Sequence, residues 1–205
     1  MLILVPTELE AAPLREVGLM VEIVGLGPVE SALNAAEVLA RKRPRLAILA
    51  GLAGAYPQRG LSPGELVLAT EESFGDLARC FPEVLRPLPP HLPRREKVDL
   101  RGPWLEKVLA LLERHEYPVE IGPLVTVCCA TRDVSRARLL ALRHRALAEN
   151  MEGFGVGLAA ERMGVPLVEL RAISNLLEEP EEPWEAEKAL KVLREALLCL
   201  QTNWR

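Results

Sequence analysis

The sequence predicts an α/β fold of one domain, a central β-sheet flanked by helices, and three observations predict it. Hydrophobic runs of strand length alternate with segments of helical period almost from end to end, the pattern of strands joined through helices. The 205 residues are 49% hydrophobic and 26% charged, enough for one sizeable core but cramped for two. No repeat of fixed period breaks the alternation, so residues 1–205 read as one unit.

Leu2 to Val5 reads as the first strand. Thr7 can cap the turn after it, with Glu8 and Glu10 placed where carboxylates favour a helix N-terminus and Pro13 lying early in that helix or bending it. Met20 to Val24 is a second strand, Gly25-Leu26-Gly27 a tight turn, and Pro28 to Lys42 a helix opened by proline in its first turn. Leu46 to Ala50 is a buried strand running into the small-residue segment GLAGAY, and Glu65 to Ala69 is another strand. Prolines 82, 87, 89, 90 and 93 suit an irregular surface excursion. Pro103 to His115 has amphipathic helical spacing, Val119 to Cys129 reads as strand, and Val134 to Ala148 as an Arg-rich helix. Gly153 to Met163 is a helix rich in small residues, and Pro166 to Ser174 the last central strand. The acidic EEPEEP follows as a solvated loop before a closing helix from Trp184 to Leu200.

A net charge of -4 and a pI near 5.6, with Lys and Arg scattered among Glu, give no basic stripe for nucleic acid. No apolar run approaches the roughly 20 residues that span a bilayer, and the opening MLILVP has neither a basic leader nor a cleavage site, so a cytoplasmic protein is expected. Cys80, Cys128, Cys129 and Cys199 lack paired CxxC spacing, and Cys128 and Cys129 would point to opposite faces of a strand. His91, His115 and His144 have no mutual spacing for a metal, and Trp104 and Trp184 begin helices, where packing is their default role. No metal, no cofactor and a small-molecule partner are expected.

Ligands of open α/β sheets gather at the carboxyl ends of the strands, so Glu10, Glu152 and Asn175 stand out. Each also has a plainer role: Glu10 as a helix N-terminal carboxylate, Glu152 as a cap for the helix at Gly153, Asn175 as a turn residue.

The segments ENMEGFGVGLAAERMGVPLVELRAISN, PTELEAAPL, VGLGPVESAL and ILAGLAGAYPQRGLSPGELVLATE together resemble the nucleoside phosphorylase and nucleosidase superfamily, the group that contains methylthioadenosine/S-adenosylhomocysteine nucleosidase. The resemblance spans nearly the whole chain and is weakest from Cys80 to Gly102. It implies a twisted, partly closed central sheet wrapped by helices, assembled as a homo-oligomer, dimer or larger. It also implies cleavage of the bond between ribose C1′ and a purine nitrogen through an oxocarbenium-like transition state. Positive charge then grows on the sugar and negative charge on the base, which asks for a carboxylate near one and donors near the other.

By the same resemblance, Glu10 matches the general base that activates water, Glu152 the carboxylate that accepts ribose hydroxyls, and Met151 the residue packed on the sugar. Gly54, in the place of the family's TGSAGGL segment, and Thr131, in the base-binding loop Cys128 to Asp133, are substrate-binding candidates; Arg132 is either an anchor for a substrate carboxylate or a solvated arginine. Asn175 falls where adenine-releasing nucleosidases carry aspartate. An amide pairs its NH2 with a 6-oxo group and its carbonyl with a protonated N7, so it fits hypoxanthine or guanine better than adenine.

Phosphorylases hold a phosphate dianion with arginines and a serine. Here the glycine turn runs into Pro28, which has no N–H, and Leu52-Ala53-Gly54 offers neither residue type, so water is the expected nucleophile. The expectation is hydrolysis of a 6-oxopurine nucleoside. The rivals are a methylthioadenosine-type nucleosidase, a purine nucleoside phosphorylase, and an inactive nucleoside-binding protein on the same fold.

Overall fold

In the computed structural model, which describes residues 1–57, 59–81, 84–178 and 183–204, strand β1 (Leu2–Val5) lies parallel between β2 (Val21–Ile23) and β3 (Ala47–Ala55). Strand β3 also pairs in parallel with β10 (Leu167–Leu176), which runs antiparallel to β4 (Leu66–Phe74). From β4 the sheet continues in parallel to β8 (Val119–Thr126) and β9 (Ala148–Asn150), and β9 returns antiparallel to β3. The path through β3, β10, β4, β8 and β9 closes on itself, leaving β1 and β2 as an open extension. This is the partly closed sheet that the resemblance implied.

Alternation along the strands sorts the core. Ile3, Val5, Ile48 and Ala50 face α1 (Glu8–Arg15), α3 (Pro103–Arg114) and α6 (Ala186–Asn203). Leu2, Leu4, Ala47 and Leu49 face α2 (Pro28–Lys42) and α5 (Gly153–Met163). The small residues of α5 have a packing reason: a Cβ at Gly155 would stand 2.3 Å from the Pro28 carbonyl oxygen, so the two helices approach through backbone. Helix α4 (Val134–His144) packs on Val125 and Val127 in a third cluster.

Several expected boundaries move. The helix expected to run to Ala148 stops at His144, with Arg145 left-handed at φ 52°, and Ala148–Asn150 is a buried strand instead. Strand β8 ends at Thr126, so Cys128 and Cys129 lie in an exposed bend and not on opposite faces of a strand. Strands β3 and β4 run on to Ala55 and Phe74 through segments too small or too polar to read as buried strand. The proline-rich excursion holds the antiparallel pair β5 (Arg79–Phe81) and β6 (Val84–Arg86), then β7 (Lys97–Asp99) on the edge of β4. The closing helix begins at Ala186, two residues after Trp184. Pro82 and residues 179–182 of EEPEEP lie outside the described residues. Among the described residues no helix is long and apolar enough to cross a membrane.

His144, at the end of α4, is buried, and its Nε2 has no hydrogen-bond partner. Burial, reinforced by Arg143 and Lys97 against Glu96 and Glu71, lowers its pKa to about 4. The unfolded chain, with an ordinary pKa of about 6.5, binds this proton first. His144 therefore leaves stability intact above about pH 6.5 and erodes it as pH falls from there toward 4. With allowance for residual solvent screening the loss is about 1–2 kcal/mol. Urea unfolding at pH 7 and pH 5 checks this: His144→Leu should lose much of the wild-type pH dependence, and an equal slope in both would contradict the assignment.

Candidate active site

The carboxyl ends of the parallel strands surround a cavity of about 380 Å³, where helix-flanked sheets place their ligands. Glu10, Gly54, Thr131, Met151, Glu152 and Asn175 all line it, as does Arg132. They arrive from five parts of the chain: α1, β3, the loop after β8, the β9–α5 junction and β10.

Glu10 is positioned by the start of α1. Thr7 is the N-cap, its hydroxyl accepting the Leu9 N–H at 3.2 Å while donating to Glu10 Oε2. The Thr-x-x-Glu spacing of a capping box is present, but the glutamate meets the cap's hydroxyl, and its carboxylate, although buried, forms part of the cavity wall.

Glu152 does not cap α5 with its side chain. Its Oε1 accepts the Gly27 N–H at 3.3 Å and its Oε2 accepts Arg171 Nη1 at 3.2 Å. Arg171, fully buried, also donates from Nε to Glu169 at 2.8 Å, from Nη2 to Asn150 Oδ1 at 3.1 Å and from Nη1 to the Leu52 carbonyl at 3.3 Å. Asn150 completes the network: Oδ1 caps the Glu152 and Gly153 N–H groups at 2.9 and 2.7 Å, and Nδ2 donates to Glu72 at 2.5 Å. A Cβ at Gly153 would lie 2.4 Å from Glu72 Oε1 and 2.6 Å from Glu169 Oε1, so only glycine fits over this carboxyl pair.

Burial, followed by the neighbouring Glu169, pushes the Glu72 carboxyl well above its ordinary range, against hydrogen bonds from Thr126 and Asn150. Burial also raises Glu169, although Arg171 opposes it. Glu169 Oε2 has no hydrogen-bond partner among the described residues. Arg171 thus faces three buried carboxyl groups, Glu169, Glu152 and Glu72. Of these, Glu152 borders the cavity most directly, with Arg171 behind it.

Asn175 was expected just past the end of the last strand, at Ser174. It lies inside β10 instead, just beyond a bulge at Ser174, and is paired with Gly54. Ser174 Oγ donates to Asn175 Oδ1 at 2.8 Å, which leaves Nδ2 beside Gly54. Thr131 is buried, and its hydroxyl proton is already committed to Glu149 at 2.7 Å. Among the described residues no group of three His, Cys, Asp or Glu is placed to hold a metal ion.

Sequence reading missed Arg171, Glu169, Glu72 and Glu149, which sit in or beside apolar runs where a charge looks like a solvent-facing residue. It also gave Trp184 only a packing role, whereas Trp184 lines the cavity while remaining 60% exposed.

The model of the Phosphorylase superfamily matches residues 14–201, and the chain belongs to that family. It is 33% identical over 211 residues to a futalosine hydrolase of Thermus thermophilus, covering 96% of this chain and 92% of the relative. It is 32% identical over 185 residues to a futalosine hydrolase of Acidothermus cellulolyticus, covering 89% of this chain and 75% of the relative. Among solved structures, futalosine hydrolase of Helicobacter pylori superposes with a TM-score of 0.85 at 18% identity, over 98% of this chain and 96% of that one. Campylobacter jejuni 5′-methylthioadenosine/S-adenosyl homocysteine nucleosidase gives 0.83 at 20% identity, over 98% and 96%. The chain is an enzyme of the nucleosidase class, an N-glycosyl hydrolase.

Proposed function

We propose that the protein hydrolyses the N-glycosidic bond of a 6-oxopurine nucleoside, releasing hypoxanthine from futalosine and leaving dehypoxanthine futalosine on the route to menaquinone. The observation that carries this reading is Asn175: an amide, oriented by Ser174, in the wall of a cavity that also holds Glu10 and Glu152. The relatives named for futalosine support the substrate.

Glu10 takes a proton from the water that attacks C1′. Glu152 accepts from the ribose hydroxyls while Arg171 and the Gly27 N–H fix its orientation. The Glu152 carboxylate in the cavity wall favours the oxocarbenium-like sugar. Asn175 gives an N–H to O6, and its carbonyl accepts from N7 once that nitrogen has taken a proton from solvent water as the base leaves. Methylthioadenosine-type cleavage is disfavoured because the amide donor would face a 6-amino group.

Water as nucleophile is supported at the glycine turn. The Gly27 N–H is used by Glu152, Pro28 has none, and the Glu30 side chain folds against Gly25. For the 5′ arm of futalosine, which carries an aromatic carboxylate, Arg132 puts a guanidinium on the cavity wall and Trp184 an aromatic face. A homo-oligomer belongs to the same reading, supported by exposed Leu26, Val29 and Leu33 in a row leading from the cavity. So does a cytoplasmic location, in keeping with the free thiols of Cys128, Cys129 and Cys199.

Asn175→Asp tests the base assignment. An ionised carboxylate offers O6 no proton but restores an acceptor for a 6-amino group, so activity on adenosine-type relative to inosine-type substrates should rise about 10–100-fold. The measurement is the ratio of kcat/KM on matched substrates. An unchanged ratio would leave Asn175 a role in the strand alone.

A further inference from the structure

Across the closed part of the sheet, Gly54 of β3 is the register partner of Glu149 on one side and of Asn175 on the other. Partners in register project to the same face. A Cβ at Gly54 would come within 3.2 Å of Asn175 Nδ2, in agreement with that. All three residues line the cavity. The row therefore reads carboxylate, bare backbone, amide, across two interstrand spacings of about 4.8 Å each.

The edge of a 6-oxopurine carries its groups in a matching order: N1–H, then O6, then N7. With Asn175 on N7 and O6, the N1–H turns toward Glu149, and the missing side chain at Gly54 leaves room for the base edge between them. We propose that Glu149 accepts the N1–H of the purine and is, with Asn175, a specificity-determining residue of the site. The inference rests on the reading of Asn175 given above and extends it to a second atom of the base.

Glu149 has the capacity for this bond. Its Oε1 accepts the Thr131 N–H at 2.8 Å, and its Oε2 accepts Tyr56 Oη at 3.0 Å and Thr131 Oγ1 at 2.7 Å. A carboxylate has about four acceptor positions, so one remains, on Oε1. Burial raises the carboxyl above its ordinary range, against these three donors and the Arg136 guanidinium, which favour its ionised form. Adenine presents a bare N1 lone pair at the same place, with no N–H for the free position on Oε1 to accept. The site then rejects adenine at two separate atoms.

The competing role is mechanical: Glu149 holds Thr131, and through it the loop from Val127 to Arg132, against β9. Substrate ratios separate the two. In Glu149→Gln, which keeps size and an oxygen for the Thr131 N–H, the neutral amide is a weaker acceptor for N1–H than a carboxylate, and the inosine-type to adenosine-type ratio of kcat/KM should fall up to about 10-fold. Glu149→Ala should shift the ratio the same way with a larger general loss. On the wild type, a nucleoside methylated at N1 should be cleaved at least about 10-fold less well than its parent. That gap should narrow in Glu149→Ala. Both substrates slowed alike in both variants, or an N1-methylated nucleoside cleaved as well as its parent, would overturn the assignment while leaving the proposed function standing. A wild type that cleaves no 6-oxopurine nucleoside would overturn the function itself and this inference with it.

Discussion

Glu10→Gln should abolish turnover while leaving base binding nearly intact. The amide keeps the size of the side chain and an oxygen for the Thr7 hydroxyl, so the start of α1 and the cavity wall should persist. What it loses is the capacity to take a proton from water. Loss of a general base costs about 10²–10⁴-fold in rate, and the loss should fall on kcat, with binding of free hypoxanthine changed little. Single-turnover rates and a hypoxanthine titration on both proteins check the two halves separately. A Glu10→Gln enzyme at wild-type rate would remove Glu10 from the mechanism; loss of hypoxanthine binding would show that it shapes the pocket instead.

Arg171→Met carries the largest expected effect on stability. The guanidinium bonds Glu169, Glu152, Asn150 and the Leu52 carbonyl, none of which gains a partner when it is removed. Stranding buried carboxylates in this way costs about 3–5 kcal/mol, because their charge remains without its counter-ion. Urea unfolding should show the free energy of unfolding falling by that amount, with the midpoint moved to lower urea. Adding Glu169→Gln should recover part of the loss, since the two residues share one network. A single variant within about 1 kcal/mol of wild type would mean that water or proton uptake already compensates the cluster.

The elements that carry a strong period or a strong stop signal were legible in the sequence. Pro28 to Lys42 and Gly153 to Met163 have the expected boundaries in the structure, each opened by proline or glycine and closed at a left-handed Arg43 or Gly164. Strand β9 was not legible. Three residues, Ala148 to Asn150, follow an Arg- and Leu-rich helix without a breaker, and they are strand only because β3 and β8 pair with them from both sides. Its loss concealed Glu149, which reads from sequence as one more surface carboxylate.

The candidate site was visible where a resemblance attached chemistry to a short motif, as for Glu10, Glu152 and Asn175. It was hidden where charge is compensated through space. Glu72 and Glu169 are separated by nearly a hundred positions, and nothing in either local pattern says that they meet beneath Gly153. Asn175 was found for its chemistry and misplaced in its structure, since a bulge at Ser174 lets β10 run past the point where its apolar pattern ends.

The central claim is tested most directly by incubating the wild-type protein with futalosine, with and without inorganic phosphate, and identifying both products. The account predicts hypoxanthine and the free hemiacetal sugar, formed at the same rate in either buffer. A sugar 1-phosphate, a rate that depends on phosphate, or cleavage of methylthioadenosine in place of futalosine would contradict it.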